Sequence, residues 1–355
     1  MAEIYKLFTA DDIVPGDVQT ISQPVWSENI NPLSASAAYV GVGFFTSSTQ
    51  VSQSGNYYVN VYHRNPNDSA VANEEIQFAV AYGHRFGSGS AGDVNTVGQN
   101  SNDTPSRAIY SQYRNMLLPP TDQVFTINGA SANEIIVVNV ARSRFRQKVD
   151  PGNWTLRIAS GSTWATTGAT NYLTFTDASG QGESPTVNEA GRVFGIYSGS
   201  GGVTASSTQY GLFYPDQGVM VFDAGRLRAT GPTGCGLPFN SASATTGVNY
   251  RNHITASMAI SASNYFAARS EEKVTSTHYF VRVTNKQFNF SNNPTFVTGS
   301  TGTFLHASML RNPSVYITTI GMYDDRNRLV AVAKLSRPLL KSFNREALIK
   351  VKLDY

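Results

Sequence analysis

Short runs at strand spacing, rather than long helical stripes, dominate the hydrophobic pattern of this chain. Tyr39–Phe45, Tyr57–Tyr62, Ile76–Tyr82, Ile135–Val140 and Trp154–Ile158 are rich in β-branched and aromatic residues, and polar or Gly-rich turns bound each of them. One helical period interrupts the series. Thr104-Pro105 sets an N-cap before a proline at the first helical position, where its missing N–H costs nothing. Ala108, Ile109, Gln112, Tyr113, Met116 and Leu117 then recur at helical spacing until Pro119-Pro120 ends the element.

Residues 160–250 read differently. Gly, Ser and Thr crowd them, as in Gly199-Ser-Gly-Gly202 and Gly231-Pro-Thr-Gly234, and apolar clusters persist only at Val193–Tyr197, Gly211–Tyr214 and Val219–Phe222. This composition predicts a loop-rich middle β-module or an insertion. Asn264 to Lys273 reads as a short helix or turn. Thr277–Thr284 and Tyr316–Tyr323 are strands, and Asp324-Asp-Arg-Asn327 turns the second into Leu329–Leu335 as a hairpin. The last residues alternate, with Ile349, Val351, Leu353 and Tyr355 on one face and Lys350, Lys352 and Asp354 on the other. Burial of four side chains falls short of the entropy lost in ordering the segment, so this strand must complete a sheet, in its own chain or a neighbour's.

The first 38 residues carry scattered apolar positions among the turn signals Pro15-Gly16, Pro24 and Asn31-Pro32, and read as an extended arm. At ~3.3 Å per residue, some thirty of them reach on the order of 100 Å, enough to cross a neighbouring subunit. The expected architecture is therefore mainly β: antiparallel β-sandwich-like modules with few short helices and an extended N-terminal arm. Its parts are the arm (1–38), an N-terminal β-rich domain (39–160), the middle module (161–250) and a C-terminal β-rich assembly domain (251–355). No fixed-period repeat supports a solenoid or propeller.

Composition narrows the picture further. Only 14% of the 355 residues are charged, so the surface is covered mainly by neutral polar groups that are cheaper to desolvate against a partner. A net charge of +3, from 27 basic and 24 acidic residues, disfavours wrapping by nucleic acid. One cysteine, Cys235, excludes a disulfide framework within the chain and a multi-thiolate metal site. The opening Met1-Ala-Glu-Ile-Tyr-Lys-Leu-Phe8 lacks a signal-peptide run, and no stretch approaches the ~18 apolar residues of a membrane span.

Catalytic patterns are weak. His63, His84, His253, His278 and His306 are scattered without metal-ligand spacing. Gly87-Ser-Gly89-Ser-Ala-Gly92 has the letters of a dinucleotide fingerprint, yet Asp93 to Asn102 is polar and turn-rich where a helix would have to begin. Cys235 has no base or orienting group that the sequence brings to it. Glu74-Glu75 and Glu271-Glu272 are adjacent, so on a strand their side chains diverge. Trp154, Trp164 and Tyr172 offer either sugar-stacking platforms or packing. No catalytic, cofactor or metal residue is assigned.

Arg142, Arg144, Arg146 and Lys148 form the most informative polar feature. If residues 136–149 are one extended strand, all four cations share a face with Ile136, Val138 and Val140. That face is either an ionic docking ridge for an acidic neighbour or a solvated edge on which cations discourage mispairing. Protein is the better partner than nucleic acid, because Phe145 lies on the opposite face and no aromatic platform interleaves with the cations.

The stretch from Thr277 to Phe296, the segment Tyr316-Ile-Thr-Thr-Ile-Gly-Met-Tyr-Asp-Asp325 with Leu329-Val-Ala-Val-Ala-Lys-Leu-Ser-Arg-Pro338, and the ending Arg345–Tyr355 resemble the C-terminal region of virion structural proteins from contractile-tailed bacteriophages, especially those infecting cyanobacteria. Tyr82-Gly-His-Arg-Phe-Gly-Ser-Gly-Ser90 and Ala108-Ile-Tyr-Ser-Gln-Tyr-Arg-Asn115 extend the likeness, which covers about half the chain and leaves out residues 160–250. The resemblance implies a non-enzymatic component of the tail, with a baseplate wedge protein as first choice and a neck, head-surface or receptor- and glycan-binding role as the alternatives. It implies assembly in the host cytoplasm, location in the virion, multiple copies in a symmetric assembly, other tail proteins as partners, and no cofactor. The interface candidates are Arg142, Arg144, Arg146, Lys148, Ile349, Val351, Leu353 and Tyr355.

Overall fold

The computed structural model describes residues 5–25, 58–62, 75–89, 104–161, 171–231, 233–239, 251–263, 265–299 and 301–355. The expected strand Tyr39–Phe45, residues 26–38 of the arm, His63, Glu74, Trp164 and the segment Asp93 to Asn102 lie outside them. The strands are β1 (Ile13–Pro24), β2 (Tyr58–Tyr62), β3 (Ile76–His84), β4 (Phe125–Ile127), β5 (Ala130–Ala132), β6 (Glu134–Val140), β7 (Lys148–Ala159), β8 (Tyr172–Asp177), β9 (Thr186–Asn188), β10 (Gly191–Ser200), β11 (Val203–Tyr214), β12 (Val219–Asp223), β13 (Phe266–Val283), β14 (Val315–Tyr323), β15 (Leu329–Lys341) and β16 (Ala347–Asp354). The helices are α1 (Pro105–Leu117), α2 (Ala224–Arg228) and α3 (Arg251–Ser263). The chain is mainly β and antiparallel, and it divides into two compact units, residues 21–272 and residues 1–20 with 273–355.

In the larger unit the first part of β13 leads a sheet in the order β13-β7-β8-β10-β11-β12-β6-β3-β2. The sheet folds back on itself. Phe175 of β8 and Phe222 of β12 are three strands apart, roughly 14 Å if the sheet were flat, yet their rings lie 5.4 Å apart. Phe78 of β3 meets Phe266 of β13 at the same distance across seven strand steps. The enclosed core joins Trp154, Leu156, Phe175, Phe213, Met220 and Phe222, and α3 contributes Ala256, Ala259 and Ile260 to it. A second cluster lies on the other face of β6 and β12, where Ile109, Tyr110, Tyr113 and Leu117 of α1 cover Ile135, Val137, Val219 and Val221 with Phe125 of β4. Burial on both faces explains why the run Ile135–Val140 is apolar at nearly every position instead of alternating.

Several expectations need correction here. Among the described residues of 160–250 strands predominate over loops, and the boundary expected at 160/161 falls within one continuous sheet, since β7 pairs β8 from Leu156↔Phe175 to Ala159↔Tyr172. Two of its glycines serve close approach: a Cβ on Gly211 would sit 2.2 Å from the Val221 carbonyl, and one on Gly195 would strike the Tyr197 ring. Gly201 and Gly202, at φ 56° and 78°, make the tight turn between β10 and β11. The described part of the segment Asn264 to Lys273 is not a helix or turn. From Phe266 onward it is β13, whose Phe266, Ala268 and Ser270 alternate inward. The helix before it escaped the pattern because Asn252 to Ser257 are all buried, so α3 shows no polar stripe.

The smaller unit is built on the later part of β13. Residues 276–283 pair with β16 from Ser276↔Asp354 to Val283↔Ala347, and β1 runs along β13 on its other side. The described part of the arm is therefore not free: it is an edge strand whose Pro15 and Pro24 have no N–H to leave unpaired. Phe8 packs on Tyr279 with ring centroids 5.5 Å apart. A loop-rich stretch after β13 is held by Phe290, Phe296 and Phe304, three mutually edge-on rings. Lys341, fully buried at the end of β15, donates from Nζ to Asn285 O (3.0 Å), Asn289 Oδ1 (2.8 Å) and Ser342 O (3.2 Å).

Candidate assembly surface

The hairpin expected at the end of the chain is present and extends further than its pattern suggested. β14 and β15 pair with each other, from Val315↔Lys341 to Tyr323↔Leu329, and with no other strand among the described residues. Asp324 forms the turn by accepting the Arg326 and Arg328 N–H groups on Oδ1 and the Arg328 guanidinium on Oδ2, with Asn327 at φ 59°. One face places Ile317, Ile320, Met322, Ala331, Ala333 and Leu335 half-buried. The other exposes Tyr323 (47%), Leu329 (54%) and Val332 (59%). They form a group around Gly321, where an added Cβ would lie 3.0 Å from the Tyr323 ring and 3.2 Å from Leu329. Tyr5 adds a fourth exposed apolar side chain, its ring edge-on to Tyr323 at 5.2 Å. Two strands with an apolar outer face are marginal in water, and such a patch is the usual mark of a contact surface.

The terminal strand is found where its alternation put it, but its apolar face serves this chain. Ile349 and Val351 are buried against their own unit, Leu353 is half-buried, and Tyr355 is 72% exposed with its hydroxyl hydrogen-bonded to Thr277 Oγ1 at 2.8 Å. The sheet it completes is its own, so Ile349 and Val351 are corrected from interface to core residues.

The basic ridge is corrected as well. Residues 136–149 are not one strand: β6 stops at Val140, Arg142–Arg144 form a 3-10 turn, and β7 begins at Lys148. The four cations consequently diverge, and each is engaged within the larger unit. Arg142 lies 4.6 Å over the ring of Phe145, which is buried in the core. Arg144 pairs with Glu75, Arg146 with Glu272 (3.2 Å) and Lys148 with Glu271 (2.6 Å), the last pair nearly buried. Glu271 and Glu272 do diverge as neighbours on a strand must. The acidic neighbour imagined for the ridge is supplied largely by this chain's own carboxylates.

The candidate chemistry is similarly built into the structure. Burial pushes the Cys235 thiol up to about 12, which keeps it protonated at neutral pH. It lines a cavity of about 370 Å³ with Ser160, Gly161, Asn171, Tyr172 and Thr230. His84 accepts the Phe86 and Ser88 N–H groups on Nδ1, and burial lowers its pKa. Glu134, facing it across β3 and β6, accepts Arg228 (2.6 Å) and the Tyr82 hydroxyl (3.2 Å). Gly87 and Gly89 sit in turns after β3 at positive φ, and the segment that follows them lies outside the described residues. Trp154 is a core residue, its indole N–H donating to buried Asp177.

The outer hairpin face and the lysines of β16 are not among the interface candidates that the sequence yields. The available signal was the run Leu329–Ala333, apolar at every position, which marks a strand requiring cover on both faces. Among the described residues no helix is long and apolar enough to cross a membrane, and no group of three metal-ligating side chains converges. No protein family, curated protein or solved structure matches this chain.

Proposed function

We propose that this chain is a structural component of a contractile phage tail, in the baseplate as a wedge protein, acting through contacts with other tail proteins in a symmetric assembly within the virion. One observation carries the reading: the β14–β15 hairpin presents Tyr323, Leu329 and Val332 to solvent together, on a two-stranded element that another surface must cover to be stable. The likeness of the same segment to virion proteins supports it, as does the closed internal pairing of the ionisable groups described above.

The test is incorporation. Glu in place of Tyr323 and Val332 changes only outward side chains, so the purified double variant folds as the parent does. Mass spectrometry of purified particles should find the parent chain and lose the variant. Normal incorporation of the variant, or absence of the parent from particles, would overturn the reading.

A second reading, recognition of a host glycan, is favoured by Tyr172. It is 39% exposed beside the cavity, with the Arg157 guanidinium 4.5 Å over its ring. Binding of the full chain to a glycan array, lost in Tyr172→Ala, would support recognition over scaffold.

A further inference from the structure

We infer that the outer edge of β16 is a strand-addition site for an extended acidic segment of another protein. The inference rests on the assembly reading above and names the kind of partner that one edge takes. Its basis is the parity of the ladder. Thr275 and Tyr355 exchange both backbone hydrogen bonds, each 2.9 Å, which makes them a hydrogen-bonded pair. Antiparallel pairing repeats every second residue, so Leu353, Val351 and Ile349 direct their backbone groups to Thr277, Tyr279 and Val281. Leu348, Lys350, Lys352 and Asp354 therefore aim their N–H and C=O groups away from β13. No strand pairs with that side among the described residues, and all four side chains are exposed.

Charge selects the occupant. The smaller unit carries 13 basic and 8 acidic residues, a formal +5, whereas the larger carries 14 and 16, a formal −2. On the exposed face of the β13–β16 pair, Arg282 stands opposite Leu348, Phe280 opposite Lys350 and His278 opposite Lys352. The Lys350 ammonium lies 6.0 Å over Phe280, and Lys352 reaches Asp354 at 3.0 Å, which also accepts the Ser276 hydroxyl at 2.7 Å. An incoming strand with carboxylates across from Lys350 and Lys352 gains both main-chain bonds and cross-strand ion pairs. A second copy of this chain fits poorly. The register that pairs all four outward residues of β16 with themselves sets Lys350 against Lys352 twice.

The experiment uses the purified full chain and a fluorescent peptide of alternating Val and Glu, matched to β16 in length, read by anisotropy and by amide shifts of residues 348–354. The peptide should bind, its Lys-for-Glu counterpart should not, and Lys350→Glu with Lys352→Glu should weaken binding about tenfold. Lys350→Pro removes an outward N–H that β13 does not use, so it should abolish binding while circular dichroism stays unchanged. Absence of binding would mean that the lysines only guard the edge against pairing. Binding indifferent to the charge reversals, or sedimentation showing dimers formed through β16, would equally overturn the inference. The assay needs no particle, so its outcome is separate from whether the chain is found in virions.

Discussion

Neighbouring residues of β16 should differ sharply in what they contribute to stability. Ile349 is 9% exposed and sits opposite Val281, while Leu348 is 60% exposed and sits opposite Arg282. Ile349→Ala deletes three buried carbons, worth about 2.4 kcal/mol in transfer alone at ~0.8 each. The cavity left behind brings the expected cost to about 2–5 kcal/mol. Leu348→Ala removes a larger exposed side chain than many surface substitutions do, yet should stay within about 0.5 kcal/mol. The two compact units need not unfold together, so hydrogen exchange at the amides of β13 and β16 is the better readout, with urea unfolding as a check. Protection should fall in Ile349→Ala and persist in Leu348→Ala. The reverse result would mean a one-residue slip of register, and either that result or equal losses would refute both the terminal pairing and the edge argument built on it.

Three further outcomes follow from buried polar groups. Burial lowers the His253 pKa from 6.5 to about 4, so the unfolded chain takes up a proton that the folded chain refuses. Stability is whole above pH 6.5 and declines by about 3 kcal/mol as pH falls toward 4; urea midpoints across that range should slope less in His253→Leu than in the parent. Asp177 accepts the N–H groups of Gly152, Trp154 and Ser179 and the Ser179 hydroxyl, so Asp177→Ala should cost at least about 3 kcal/mol by chemical unfolding. Lys341→Met strips three acceptors of their charged donor and should lower exchange protection at the hairpin base by about 2–4 kcal/mol while leaving the larger unit unchanged.

Much of this architecture is readable from local pattern, and its failures share a cause. Helix α1 is marked by Thr104-Pro105 and an apolar stripe, and β14–β15 by β-formers flanking Asp324–Asn327, because each is defined by short-range chemistry. Alternation likewise placed β16, although only tertiary pairing with residues 276–283 could show that Ile349 and Val351 face inward within this chain. Tertiary burial misled elsewhere. α3 is enclosed on several sides and carries no stripe, while the Gly, Ser and Thr content of 160–250 reads as loop because a contact such as that between Gly211 and the Val221 carbonyl comes from a neighbouring strand. The same limit governed the candidate site. A basic ridge is a fair inference from Arg142, Arg144, Arg146 and Lys148 if the strand continues, but the 3-10 turn after Val140 and the partners Glu75, Glu271 and Glu272 are long-range facts. What spacing does reveal is Leu329–Ala333, whose apolar residues on both faces state a need for cover.

Cryo-EM of intact phage particles, with this chain located relative to the tail axis, tests the central claim most directly. The account predicts the chain in the baseplate in symmetric copies, with Tyr323, Leu329 and Val332 covered by another subunit. Particles lacking the chain, or a chain whose hairpin face is bathed in solvent, would contradict it.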